Sequence, residues 1–193
     1  MARTKEFDPD KLLIQALDLF WEQGYEHTSV QDLVDHLGIG RGSMYNTFGD
    51  KRSLFLTALD HYLKYGGALL RSVLESEPAA KAMGKLFKEF INEIMSDERH
   101  RGCFVVNQMT ELAPRDPEVA ALLKKNQQEV IEMFRQTISS AQEQGAIHPA
   151  KDPLALAEFF YNTLIGMRVA ARNNPDRDSL ERIVTTALST LND

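Results

Sequence analysis

The run from Thr28 to Phe55, TSVQDLVDHLGIGRGSMYNTFGDKRSLF, constrains the fold more than any other part of this chain. Val30, Leu33, Val34 and Leu37 recur at helical spacing and supply one buried face. Thr28 and Ser29 precede them, and either hydroxyl can cap the orphan amides of a helix start. Gly38 permits a sharp turn, and Ile39 is placed to plug the junction from beneath. A short second helix is expected over about Arg41 to Thr47. Asp50 then caps a long third helix beginning at Lys51. Helix, glycine turn, short helix and long helix is the layout of a helix-turn-helix, whose second element enters the DNA major groove.

The side chains expected on the outside of the short helix suit that task. Arg41, Ser43, Asn46 and Thr47 are types that meet base edges: Arg pairs with guanine, Asn with adenine, and a Thr methyl touches the thymine methyl. Gly42 allows close backbone approach. Tyr45 offers a hydroxyl to a phosphate, and Phe48 is expected to pack inward. Lys51 stands at the positive end of the following helix, a natural phosphate seat.

At these residues a family resemblance becomes specific. The run from Ser29 through Asp32-Leu-Val, Leu37-Gly-Ile-Gly-Arg-Gly-Ser-Met-Tyr-Asn-Thr-Phe-Gly-Asp-Lys51 and Leu54-Phe55 resembles the DNA-binding domain of the TetR family of transcriptional repressors. The preceding Ala16-Leu, Leu19-Phe-Trp, Gly24-Tyr and Thr28-Ser match that family's first helix and its entry into the second. The likeness covers about residues 8–56. It implies that Thr28, Tyr45 and Lys51 grip phosphates while the short helix meets bases. Gly40 departs from the pattern, standing where the family often has a Ser or Thr cap, so a looser helix start is expected.

Bulk charge does not favour nucleic acid. The chain carries a formal net charge of −6, and residues 1–65 hold seven Lys/Arg against ten Asp/Glu. The cations cluster, however. Arg3 and Lys5 lie in an expected N-terminal arm, and Arg41, Lys51 and Arg52 flank the reading helix. Binding is therefore expected to rest on a few directed contacts, with weak non-specific affinity. A single cysteine excludes an internal disulfide framework and fits a reducing, cytoplasmic compartment. No leader-like apolar core opens the chain, and Pro153 to Met167, the most apolar stretch, is too short and interrupted to span a bilayer. No membrane partner is expected.

The rest reads as helices. Leu13, Leu17, Phe20 and Trp21 line a first helix opened by Asp8-Pro9 and closed by Gly24 in a left-handed conformation, with Tyr25 packing back. Further helices are expected over about Lys51–Ser76, Ala79–Ser96, Arg101–Ala113, 117–144, 153–173 and 179–191. Asp116-Pro117 and Asp152-Pro153 repeat the opening, and Asp178-Ser-Leu-Glu181 reads as a capping box for the last helix. The expected class is all-α. Residues 1–50 form a three-helix DNA-binding domain, joined by a shared helix to residues 51–193, a larger helical effector-binding and dimerisation domain.

In the resembled family the last two helices dimerise and the second domain binds an effector. Phe159, Phe160, Leu164 and Met167 form one stripe, and Ile183, Val184 and Leu188 belong to another, so they are the expected interface of a homodimer reading a palindromic operator. An apolar or aromatic small-molecule effector is expected, with Phe87, Phe90, Phe104, Met109, Phe134 and Tyr161 as pocket candidates. Cys103 follows a cationic stretch near a helix start, an environment expected to lower its pKa. The segments Arg101-Gly-Cys-Phe104 and Glu111 to Glu118 resemble a subgroup in which a cysteine here is common, and some relatives sense electrophiles or oxidants with it.

The leading expectation is thus a repressor released from its operator by a small molecule or an electrophile. An activator, an effector-independent regulator, and a helical interaction module without DNA binding are the alternatives. An enzyme is not expected, because the five histidines are scattered and no nucleophile motif or phosphate loop occurs. No cofactor or metal is implied, since His100 and Cys103 gather no further ligands.

Overall fold

Most of the helix starts can be traced to a side chain that caps them. In the computed structural model, which describes residues 8–173 and 175–192, every described regular element is helical. The expected arm residues Arg3 and Lys5 lie outside the described residues.

Helix α1 (Pro9–Gln23) begins where the Asp8 carboxylate accepts from the amides of Asp10 and Lys11, with Pro9 needing no amide partner. Gly24 ends it at φ 82°, ψ 161°, a positive-φ geometry that favours glycine though not the left-handed helical one. Tyr25 packs back as expected, its ring 6.1 Å from Phe20 and 4.7 Å from Phe55.

Ser29, not Thr28, caps α2 (Val30–Leu37). The Ser29 hydroxyl accepts from the Asp32 amide at 3.1 Å, and the Asp32 carboxylate accepts from the Ser29 amide at 2.8 Å. Hydrogen bonding of its carboxylate to the Ser29 side chain, and then to the Ser29 amide, holds the Asp32 carboxyl below its usual pKa, and the Lys51 charge adds to them. The box is therefore intact at neutral pH and lost only in acid, as pH falls through that lowered value.

Gly38 closes α2 at φ 63°, ψ 29°, its amide donating to Asp35 and Val34 carbonyls. Added Cβ atoms would meet nothing there. The cost of substitution is then pure backbone strain, about 1–2 kcal/mol for a left-handed non-glycine residue. Gly38→Val is expected to lower the unfolding free energy by at least that amount, and Gly38→Asn by clearly less, measured by urea titration.

After the turn come α3 (Arg41–Phe48) and α4 (Lys51–Glu75). Asp50 caps α4 through the Ser53 amide at 2.7 Å. Chain contacts divide the molecule between Lys64 and Tyr65, within α4. The reason is packing: Leu54, Phe55, Ala58 and Leu59 of α4 are as buried as Leu13, Phe20, Leu33 and Met44. The first turns of α4 belong to the core of the first unit. Phe20 meets Phe55 edge-to-face at 5.3 Å, and Trp21 meets Tyr62 at 5.3 Å.

The second unit holds the end of α4 with α5 (Ala79–Ser96), α6 (Phe104–Glu111), α7 (Pro117–Glu143), α8 (Pro153–Ala170) and α9 (Arg177–Ser189). Asp116 and Asp152 cap α7 and α8 as expected. Asp176 rather than Asp178 caps α9, accepting from the Ser179 amide at 3.0 Å, so Asp178 lies in the first turn. Helices α5, α7, α8 and α9 enclose one apolar core that includes Phe87, Phe134, Ile138, Phe160, Leu164 and Met167.

Candidate nucleic-acid interface

Helix α3 owes its outward polarity to its sequence. Met44 is its one fully buried side chain, Ser43 and Phe48 are half-buried, and Arg41, Gly42, Tyr45, Asn46 and Thr47 are exposed. Apolar contact along one narrow line is enough to seat the helix, because α2 and α4 carry the rest of the core. Gly40 begins it with no side-chain cap, as its departure from the family pattern implied. Tyr45 is 45% exposed, so its ring stands off the surface that Met44 anchors.

Lys51, at the first position of α4, is half-buried, and its ammonium lies 4.2 Å above the centre of the Tyr25 ring. Helix start, cation and aromatic support converge there, a seat for an anionic oxygen. Tyr25 was not among the expected site residues. Its role as the floor under Lys51 arises from a contact across 26 positions of chain that no local pattern announces.

Thr28 corrects an expectation. Its side chain is fully buried, and its hydroxyl donates to the Gly24 carbonyl at 2.6 Å. That hydrogen bond staples the end of α1 to the start of α2 and leaves no face of the side chain for a phosphate.

The expected effector residues separate into two groups. Phe87, Phe104 and Phe134 are fully buried, Tyr161 and Cys103 nearly so, and Phe90 and Met109 are partly buried. Cys103 is a buried thiol at the start of α6. The loop before it is tightly held: the Arg101 amide donates to Asp97 at 2.7 Å, and Asn107 donates to the Arg101 carbonyl at 3.0 Å. Gly102 sits at φ 69°, where any Cβ would fall 2.5 Å from Arg172 Cγ, so α8's end packs directly on its backbone. An open groove of about 370 Å³ lies elsewhere, lined by Arg71, Leu74, Glu75, Met133, Thr137 and Ser140 among others. None of the expected effector residues lines it.

The expected interface residues also divide. Phe160, Leu164, Met167 and Val184 belong to the internal core of one chain, and Leu188 packs against it. Only Phe159 and Ile183 are well exposed, at 44% and 41%. The apolar stripes on α8 and α9 are wide enough to fill the core on one side and show a second edge outside. Leu154, Gly166 and Val169 share the exposed side of α8.

Residues 12–58, the helix-turn-helix segment, match the family model described as bacterial regulatory proteins, tetR family. Residues 79–187 match the tetracyclin repressor-like C-terminal domain. The chain belongs to the TetR family. It is 36% identical to the uncharacterized HTH-type transcriptional regulator YezE of Bacillus subtilis, over 99% of this chain and 100% of that one. It is 33% identical to the HTH-type transcriptional repressor ComR of Escherichia coli, over 97% and 90% respectively. Among solved structures, a cysteine mutant of the TetR family regulator CifR, complexed with 26-base-pair operator DNA, is similar at a TM-score of 0.86 and 34% identity. That likeness covers 97% of this chain and 98% of the other. Like these relatives, this TetR-family chain is a transcriptional regulator with an N-terminal DNA-binding domain and a C-terminal helical domain. No described helix is long and apolar enough to cross a membrane.

Proposed function

We propose that this TetR-family regulator is a repressor that binds a palindromic operator as a homodimer and is released by a small-molecule or electrophile effector. The observation that carries the reading is the outer face of α3, where Arg41, Tyr45, Asn46 and Thr47 stand exposed beside Lys51 at the start of α4. The names of similar proteins, repressor for ComR and an operator complex for CifR, support the sign and the target. Arg41 and Asn46 read base edges, and Tyr45 and Lys51 hold phosphates.

Gel shift with the promoter region of its own gene tests the proposal. Wild type is expected to shift the fragment, and Tyr45→Ala or Lys51→Ala to weaken binding by roughly 10-fold or more, as for removal of a charged or phosphate hydrogen bond. Lys51→Ala should also flatten the salt dependence, its logarithmic slope falling by about 0.9 for each phosphate that is no longer neutralised. Absence of any shift at low salt would sink the repressor reading.

Release by an electrophile would require the buried Cys103 thiol to become accessible. A thiol-reactive electrophile is then expected to release wild type but not Cys103→Ser. Equal responses in the two would reject Cys103 as trigger and leave non-covalent release.

A further inference from the structure

Polar groups orphaned inside the second unit mark a place built for something other than its own core. Helix α6 buries Phe104, Val105, Val106 and, in the same register, Gln108, which is 1% exposed. Neither amide atom of Gln108 has a hydrogen-bond partner. A buried polar group left unpaired costs about 1–3 kcal/mol, and a Leu or Met would fill the position without it. Across from α6, helix α8 carries Tyr161, which is 5% exposed, its hydroxyl equally without a partner. A Phe would fill that position in the same way. Helices α6 and α8 pack on each other.

We propose that Gln108 and Tyr161 are the polar recognition pair of an internal ligand site between α6 and α8, which takes an uncharged small molecule bearing a carbonyl or hydroxyl oxygen on an apolar frame. The proposal rests on the effector-released reading and gives it a ligand class. The Gln108 amide supplies both a donor and an acceptor, and the phenol supplies a second donor, a set that matches one neutral oxygen and its neighbour. Burial disfavours an anion beside the phenol. Burial, with the Cys103 charge second, pushes the Tyr161 hydroxyl up to about 12, so the same setting that penalises a phenolate penalises a carboxylate. Tyr161 belongs to the core that holds Phe87, Phe134 and Phe160, which suits an apolar frame. Met109, packed at the edge of that core, is a side chain that adapts its shape to a guest.

Three benzene-sized probes separate the contributions: acetophenone, with a neutral acceptor; ethylbenzene, with none; and benzoate, with a charge. Calorimetric titration of the full chain is expected to show acetophenone bound about 10-fold more tightly than ethylbenzene, the effect of one well-made hydrogen bond. No binding of benzoate is expected. Gln108→Leu and Tyr161→Phe should each remove most of that preference, and the double variant should bind acetophenone and ethylbenzene alike. Unliganded Gln108→Leu should melt above wild type, because an unpaired amide has been removed. Three results would overturn the proposal: no binding of acetophenone to wild type, unchanged preference in the double variant, or a lowered melting point in Gln108→Leu. Gel shift of the unliganded protein runs alongside. Failure there condemns the repressor reading alone, whereas an intact shift with no acetophenone binding condemns the site alone.

Discussion

Phe159→Asp combined with Ile183→Asp is expected to turn the protein into a monomer and to lower its operator affinity by at least about 100-fold. Two linked reading heads gain roughly 10²–10⁴ over one, because the second half-site is met at high effective concentration. Both residues are exposed in the single chain, at 44% and 41%, so a charge there does not enter the core. In a dimer the same carboxylates would be buried against their symmetry mates, unpaired and of like sign. Gly166 and Val169 extend the same side of α8, and the small residue permits close helix approach. Light scattering after gel filtration reads the mass, and gel shift reads the affinity. A variant that remains dimeric would move the interface off this face. Phe160→Ala serves as the contrast, since Phe160 is fully buried in the core shared with Phe87. It should lower stability by several kcal/mol, about 3–5 for a buried Phe, without a specific effect on assembly.

Phe20→Ala is expected to cost the first unit about 3–5 kcal/mol, enough to melt most of a small domain's margin. Phe20 is fully buried and contacts both Phe55 and Tyr25. Its loss opens a cavity beneath Tyr25, the ring that supports the Lys51 ammonium at 4.2 Å. Operator binding should therefore fall before the protein is globally unfolded. The single tryptophan makes the test local: Trp21 packs on Tyr62 inside the first unit, so its fluorescence follows that unit alone. Urea titration should show the fluorescence midpoint shifting far more than the far-ultraviolet circular dichroism, which is dominated by the longer helices of the second unit. Coincident midpoints, unshifted from wild type, would refute the assignment of Phe20 as the keystone of this core.

Much of this molecule could be read from one dimension. Asp8-Pro9, Asp116-Pro117 and Asp152-Pro153 each open a helix where expected, because a cap and a prearranged φ act within one turn. The helix expected over about Ala79–Ser96 was legible from its apolar spacing. Near misses came where two local candidates competed. Asp176 won α9 over Asp178, and Ser29 won α2 over Thr28, whose hydroxyl was taken by the Gly24 carbonyl. Gln108 was discoverable and missed: it occupies the core register of α6 behind Phe104, and a polar residue in such a register is itself a signal.

Periodicity and caps act over a few residues, so the all-helical class, the helix-turn-helix and the outward chemistry of α3 are local facts of the chain. The direction in which a wide apolar stripe is spent is not local. Phe159 and Phe160 are neighbours in sequence, yet one is 44% exposed and the other fully buried, because the helices that pack on α8, chiefly α7, cover Phe160 and leave Phe159 outside. Likewise Tyr25 came to lie under Lys51, Thr28 became a staple, and Gln108 and Tyr161 were left facing into the interior. Each outcome depends on which distant helix arrives to cover a side chain, and that is set by the packing of the whole domain.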